Sequence, residues 1–408
     1  MKIKKHAEMN QFAISNNELE LNGVPFSRLV NIAGRTPFYA YDRSVIKSRI
    51  SELRKLFKFI DINYAIKANP MPELVSYMAG LVDGFDLASV NEMRTALNAG
   101  MKPSKISLAG PAKTYEEILS AVSAGIVIHA ESNTQIELIK RASEETGVVG
   151  KVALRVNPPN QNASSGMRMG GAQTQFGIDY EKAADAIRNI CSSGLIYEGL
   201  HVFNGSQDLS VESLKEGHIQ TFKLASELQK ETGKKIKKLN IGGGFGIPYF
   251  PGQERLDIHQ VSENFNKIYE QYLGEFVSTC VVMELGRYLV GESGIYVGKI
   301  IDKKESRGAQ YLILDAGMHH NLAASGNLGQ VFRKNYPCVI ANKVQSSSEN
   351  IVNIVGPLCT PLDRVAEEVN LGHGDIGDYV AVYQSGAYGL TASPNGFLSH
   401  EKAVELLV

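Results

Sequence analysis

From about residue 36 to residue 290 the chain alternates two hydrophobic patterns. Short runs rich in aliphatic and aromatic residues centre near Ile62, Gly84, Ser107, Ile128, Leu154, Leu200, Leu239 and Val281. Between them lie stretches with apolar residues three and four apart, at 71–79, 90–100, 114–125, 133–147, 180–193, 209–232 and 261–274. The first pattern predicts strands and the second amphipathic helices. A further helix, 43–58, precedes the first of these strands, with Asp42 as its N-cap. Eight strands separated by helices imply parallel pairing, and closed on themselves they make a (β/α)₈ TIM-like barrel, here over residues 36–280. An open doubly wound sheet is the alternative, but no Gly-x-Gly-x-x-Gly opens the first unit.

After Arg287 the texture changes. The runs 295–301, 311–314, 352–355 and 378–383 are short, β-branched or aromatic, and separated by Gly, Ser and Asp. They predict a β-rich, sandwich- or barrel-like domain over 281–408, joined by residues 1–35, which read as short strands and turns. Phe38-Tyr39-Ala40-Tyr41 reads as another strand. Segment 157–175 is rich in Gly, Ser and Asn and long for a loop, which predicts a lid over the barrel rim.

At 408 residues two domains are expected. A formal net charge of −1 excludes nucleic acid as the main partner. Cys191, Cys280, Cys338 and Cys359 show no CxxC spacing, so neither a zinc site nor a disulfide framework is expected. The first 20 residues are polar and lack the apolar core of a signal peptide. No apolar run approaches the roughly 20 residues of a membrane helix. These features predict a cytoplasmic protein with no membrane partner.

Chemistry in a parallel barrel sits at the carboxyl ends of the strands. Candidate residues fall there in order: Lys67 after the first strand, Asp86 and Ser89 after the second, Lys113 after the third and Glu131 after the fourth. Arg155 lies on the fifth, His201 and Phe203 on the sixth, residues 242–246 follow the seventh, and Glu284 and Arg287 end the eighth. Lys67 follows a strand and precedes Asn69-Pro70, which breaks it; a lysine aimed from there can form a Schiff base with a carbonyl. Asn240-Ile241-Gly242-Gly243-Gly244-Phe245-Gly246 lets backbone N–H groups close on an anion and predicts a phosphate nest, with no Walker lysine behind it. Glu284-Leu285-Gly286-Arg287 pairs a carboxylate with a guanidinium; beside a pyridine ring such a carboxylate keeps the ring nitrogen protonated and the ring a strong electron sink. His201 and Phe203 share one face of their strand, and Gly205-Ser206 offers an N–H and a hydroxyl to a phosphate. In the β-rich part, Gly356-Pro357-Leu358-Cys359-Thr360-Pro361 holds a thiol in a constrained turn suited to acid–base work. Ser385-Gly386-Ala387-Tyr388-Gly389 offers a phenol.

Taken together, Tyr-Ala-Ile-Lys-Ala-Asn, Gly-Gly-Gly-Phe-Gly, Glu-Leu-Gly-Arg, Gly-Pro-Leu-Cys-Thr-Pro and Ser-Gly-Ala-Tyr-Gly resemble the fold-type III pyridoxal phosphate decarboxylases, the diaminopimelate, ornithine and arginine group, over about residues 36–398. The resemblance implies pyridoxal 5′-phosphate as cofactor, held by Lys67 as a Schiff base. It implies that Glu284 meets the pyridine nitrogen and that Ser206, Gly243, Gly244, Phe245, Gly246, Gly286, Arg287 and Tyr388 surround the phosphate. Arg155 would support Lys67, while Asp86, His201 and Phe203 would lie near the ring. Cys359 would protonate the carbon that loses carbon dioxide, reaching the site from the other subunit of a homodimer.

The departures from the family narrow the substrate. Phe203 stands where the family has a histidine stacking on the cofactor, and Gln175 where it has a lysine before Phe-Gly. Thr360 stands where a Glu or Asp pairs with a distal amine of the substrate. Asp315-Ala316-Gly317-Met318 is followed by His319-His320-Asn321 and not by Arg-Pro-x-x-Tyr. Arg333, Thr360 and Tyr388 are left as candidates for contacting the substrate. These features are similar to the butirosin-type decarboxylase of glutamate tethered to an acyl carrier protein, and to siderophore- and exosortase-associated decarboxylases. They imply a substrate other than a standard diamino acid, possible only with an open rim if a carrier protein delivers it. Diaminopimelate decarboxylation is the alternative; a same-fold racemase is opposed by Glu284, and a non-catalytic homologue by the retained Lys67 and Cys359. Metal chemistry at His319-His320 is not expected, because adjacent histidines on a strand point to opposite faces.

Overall fold

The computed structural model describes residues 5–159, 167–168, 173–346 and 350–408. Most of the expected lid, residues 160–166 and 169–172, lies outside the described residues. The chain forms two compact units, one of Ile50–Gly246 with Leu256–Tyr288, the other of Met1–Arg49, Ile247–Arg255 and Leu289–Val408.

The first unit is a closed barrel of eight parallel strands. They are β1 (Ile60–Ala65), β2 (Gly84–Leu87), β3 (Ile106–Leu108), β4 (Val127–Ala130), β5 (Lys151–Asn157), β6 (Ile196–Val202), β7 (Lys238–Gly243) and β8 (Cys280–Leu285). Each pairs with the next, and Glu284 of β8 lies opposite Asn63 of β1, which closes the ring. All eight form where the hydrophobic runs predict them. Helices alternate with the strands, and polar side chains at their first turns satisfy N–H groups left without a helical partner. Ser89 accepts from Glu92 N, Thr114 and Glu117 form a capping box, and Ser132 accepts from Gln135 N.

On β1 the alternation is explicit. Ile62 and Tyr64 are buried, while Asp61 and Asn63 line a small internal cavity. The same parity places at least one polar residue on every strand, among them Asn63, Asp86, Ser107, His129, Arg155, His201, Asn240 and Glu284. Register sets Arg155, His201 and Asn240 side by side, and Asp86 beside Ser107. Layers inside such barrels are ordinarily aliphatic, so this polar layer marks the interior as a site.

The second unit is built on one long strand, β9 (Gly294–Ser306). Its first half pairs antiparallel with Phe38–Tyr41, and its second half with β10 (Ala309–Leu314). The sheet is extended by β11 (Cys338–Ile340), β12 (Asn350–Val355), β13 (Arg364–Leu371) and β14 (Tyr379–Val382), while Val404–Leu407 lies parallel to Phe38–Tyr41. Phe12, Leu19, Leu21, Phe26, Leu29, Phe38, Ile295 and Val297 form its core. Glu292, 3% exposed, is ion-paired with both Arg49 and Arg255.

The reading of residues 1–35 as strands and turns is corrected in one place. Phe26–Ala33 is a helix, entered from Pro25 and closed by Gly34 in the left-handed region at φ 72°. Its buried Phe26 and Leu29 are three apart, a helical spacing too short to stand out from the neighbouring strands. Asp42 does cap the next helix, Arg43–Leu56, accepting from Ser44 N at 2.7 Å.

Strands β6 and β7 approach closely at Gly199, where φ is +141° and an added Cβ would meet Lys238 O at 2.0 Å. That oxygen is backbone of the adjoining strand and cannot move aside. Gly199→Ala is expected to destabilise the barrel by about 2–4 kcal/mol. The check is thermal unfolding, whose midpoint should fall by roughly 5–10 °C.

Candidate active site

Lys67 lies just beyond β1 on the single 3₁₀ turn Ile66–Ala68. The turn is anchored below it: Tyr64 donates its O–H to Asn69 O at 2.8 Å, and Asn69 Oδ1 accepts from Met71 N at 3.2 Å. Gly286, at the end of β8, allows that strand to press on the turn, since a Cβ there would meet Ala68 Cβ at 2.9 Å. The Lys67 side chain is exposed, and its Nζ stands 5.6 Å from the centroid of the Phe203 ring. His201 and Phe203 do share a side, with ring centroids 6.4 Å apart.

The other rim lysine differs. Lys113 is buried and donates to Gly110 O at 2.7 Å, His129 O at 2.8 Å and Gln135 Oε1 at 3.0 Å. All three of its N–H bonds are engaged, and burial pulls its pKa down to about 8.

Glu284 is buried inside the barrel. Asn240 Nδ2 donates to its Oε2 at 3.1 Å, and His201 Nε2 stands 3.3 Å from its Oε1. Burial alone would raise this carboxyl; His201 beside it, then Lys67, outweigh that effect and hold Glu284 well below the usual carboxylate range. Asp86 is driven the opposite way, to about 8, first by burial and then by the charge of Glu284, against hydrogen bonds from Ser107 and Asn63. Its Oδ1 accepts from Ser107, while its Oδ2 is buried with no hydrogen-bond partner among the described residues. The site thus holds one carboxylate charged and one protonated.

Arg155 is ion-paired with Glu131 at 3.1 Å and packs on the Phe176 ring at 4.8 Å. Glu131 also accepts from Gly110 N and Gly177 N, which ties three loop ends together.

The glycine run after β7 is a cradle of bare backbone. Gly242 and Gly244 have φ of 71° and 78°, and a Cβ on Gly244 would meet Gly205 O at 2.2 Å. The run and the Gly205-Ser206 segment therefore pack main chain to main chain. Two of its donors are engaged: Gly242 N with Asn240 Oδ1 at 2.9 Å and Gly246 N with Asp208 O at 2.8 Å. Gly243 ends β7 opposite Glu284, and Gly244 and Phe245 follow it. Arg287 begins the short helix that follows β8.

The remaining candidates belong to the other unit. Cys359 is exposed, and its turn is fixed by Asp363, 2% exposed. Asp363 accepts from Leu358 N at 2.9 Å and from Met318 N at 2.6 Å. Any Cβ on Gly317 or Gly356 would strike its carboxylate. Thr360 Oγ1 accepts from Leu362 N at 3.3 Å, and Arg333 donates to Arg364 O. Tyr388 sits at φ 54° in a turn pressed against residues 290–294. His319 and His320 lie on a turn and not on a strand, and their rings meet at 3.7 Å between centroids, so the premise that they face apart does not hold.

Sequence reading singled out Glu284, His201, Asp86 and Arg155 but passed over Asn63, Ser107, His129 and Asn240. The signal was present as at least one polar side chain per strand, at the parity opposite the aliphatic set.

The family described as "Pyridoxal-dependent decarboxylase, pyridoxal binding domain" matches residues 43–291. An L-glutamyl-[BtrI acyl-carrier protein] decarboxylase of Niallia circulans is 35% identical over 381 residues, covering 91% of this chain and 88% of its own. A 2-[(L-alanin-3-ylcarbamoyl)methyl]-2-hydroxybutanedioate decarboxylase of Staphylococcus aureus is 30% identical, over 83% of this chain and 85% of its own. The crystal structure of diaminopimelate decarboxylase from M. jannaschii with L-lysine superposes with a TM-score of 0.88 at 25% identity, covering 98% of this chain and 93% of that one. With a lysine, a glycine cradle and a charged carboxylate gathered at one barrel, the chain belongs to the pyridoxal-dependent decarboxylases, carboxy-lyases that use pyridoxal phosphate to decarboxylate an amino acid.

Proposed function

We propose that this decarboxylase acts on an amino acid without a distal ammonium group, such as a glutamyl or similar acyl group delivered on a carrier protein. The observation that carries this reading is Asp363. It is the nearest carboxylate after Cys359 in the chain, yet it is buried and both its oxygens accept backbone N–H bonds. Thr360, beside the thiol, is uncharged. A distal ammonium placed there would lose its water without gaining a counter-charge. The relative from Niallia circulans, named for a carrier-linked glutamyl substrate, agrees with this reading.

The residues fit pyridoxal phosphate. The Gly244 cradle would be filled by a single Cβ, and the buried Asp86 Oδ2 has no hydrogen-bond partner among the described residues. When bound, the cofactor supplies an electron sink for the bond that releases carbon dioxide. Lys67 holds it, since Lys113 has no N–H to offer. Glu284 keeps a negative charge for the ring nitrogen, and Asp86, protonated, is a hydrogen-bond donor near the ring. Gly243, Gly244, Phe245, Ser206 and Arg287 would hold the phosphate, while Arg155, fixed by Glu131, would support Lys67. Phe203 covers one ring face without offering a proton. Cys359 Sγ delivers the proton to the carbon that has lost carbon dioxide.

Cys359 reaches this site in a homodimer. Supporting that assembly, Val331 and Phe332 are 91% and 80% exposed, Leu328 and Leu362 are also exposed, and Asn327 Nδ2 joins the two loops through Leu362 O at 3.0 Å. Side chains this apolar are costly to leave in water.

Three outcomes are expected. In a mass-spectrometric panel, glutamyl or other aminoacyl carrier proteins lose carbon dioxide, while free diaminopimelate, ornithine, lysine and arginine turn over at least about 100-fold more slowly; brisk turnover of a free diamino acid would sink the substrate reading. Val331→Asp with Phe332→Asp shifts the protein to monomer in sedimentation and abolishes turnover with cofactor binding intact. Asp86→Asn raises the unfolding midpoint of cofactor-free protein. Because the folded state holds the Asp86 proton up to about pH 8 and the unfolded state releases it near pH 4, wild-type stability falls as pH rises through that window. The Asn variant should gain roughly 5–10 °C at pH 8.5 and nothing near pH 4.

A further inference from the structure

His129 has no part in the roles assigned above, yet it is one of the most confined polar side chains in the barrel. It is 4% exposed, and its ring packs on His201 with centroids 4.4 Å apart and planes inclined by 44°. The two histidines come from β4 and β6, with β5 between them. They meet because Ala153 of β5 is the register partner of both His129 and Gly199, and its methyl group leaves the space open. On the far side His201 Nε2 faces Glu284 Oε1 at 3.3 Å, a contact too loosely aligned to fix the imidazole by itself. The Nδ1 atoms of both histidines are buried and have no hydrogen-bond partner among the described residues. No hydrogen bond at Nδ1 therefore sets the His201 ring angle, and packing is left to do so. Beside His129 lies a cavity of about 30 Å³ lined by Asn63, Ser107, Ala153 and Asn240, into which an unsupported ring could turn.

We propose that His129 is a positioning residue for the decarboxylation: its ring wedges His201 against Glu284 and so maintains the carboxylate's charge toward the cofactor's ring nitrogen. The inference rests on the reading of Glu284 as the partner of that nitrogen.

The electrostatics agree with the geometry. Two stacked imidazoles do not both carry charge in a buried space. Burial, then the charge of His201, hold His129 well below the usual histidine range, with Lys113 and Arg155 adding to the effect. His129 is therefore neutral, and His201 is the ring that faces Glu284. The other titratable groups interacting with Glu284 are Lys67, beyond β1, and Asp86, on β2. Removing the wedge lets His201 rotate toward the cavity, weakens its pairing with Glu284 and lets that carboxyl take up a proton more readily.

The test uses holoenzyme loaded with ¹⁵N-labelled pyridoxal phosphate and needs no substrate. The ring-nitrogen resonance is followed against pH in wild type, Glu284→Gln, His129→Asn, His129→Ala and His129→Phe. His129→Asn and His129→Ala should lower the pH at which the ring nitrogen loses half its proton by about one unit, a tenfold change in its protonation constant. His129→Phe, which keeps the wedge, should stay near wild type. Either truncation suffices if the other fails to fold, with cofactor content as the control. If Glu284→Gln leaves the resonance in place, the reading of Glu284 fails, and this inference with it. If Glu284→Gln moves it while both truncations behave as wild type, the wedge alone is overturned. The wedge is equally overturned if His129→Phe shifts the resonance as far as the truncations do.

Discussion

The site depends on keeping a negative charge inside a barrel. Burying a carboxylate without compensation costs far more than a fold's net stability. Glu284 is tolerated because Asn240 and His201 occupy its two oxygens, and neighbouring cations favour its ionised form. Every strand contributes to that environment. The polar layer is made of side chains that mostly satisfy one another, and its open valences, Asp86 Oδ2 and the two histidine Nδ1 atoms, cluster around the same carboxylate. An interior that only filled space would need none of this.

Much of the architecture could be read before any coordinates. Eight aliphatic runs and the helices between them alternate so regularly that a closed parallel barrel follows, and the strands form at each expected centre. Legibility failed where the physical signal is tertiary. Arg364–Leu371 carries Arg364, Glu367 and Glu368, and only its pairing with Asn350–Val355 makes it a strand. Phe26–Ala33 is a helix on two buried residues and a terminal glycine, too little to reveal a period.

The site shows the same division. Lys67, the glycine run and Glu284 announce themselves through local chemistry: a lysine before a strand-breaking Asn-Pro, glycines in series, a carboxylate ending an apolar strand. His129, Ser107 and Asn240 do not, because each sits between apolar neighbours in its strand, and only the register shows that they converge. Lys113 read in sequence only as a second lysine at the rim, and its bonding was not legible there. Three carbonyl and amide oxygens surround the Lys113 ammonium, and none is hydrogen-bonded to that of Lys67 among the described residues.

The double hydrogen bond of Asp363 has an evolutionary corollary. It fixes the backbone on both sides of Cys359 without involving the side chain at position 360 beyond a single hydroxyl contact. The thiol's placement and the side chain beside it are thus set by separate interactions. A lineage can exchange the residue at position 360 while inheriting the thiol unmoved. Variation beside a fixed thiol then needs only single-residue steps, each leaving the turn intact.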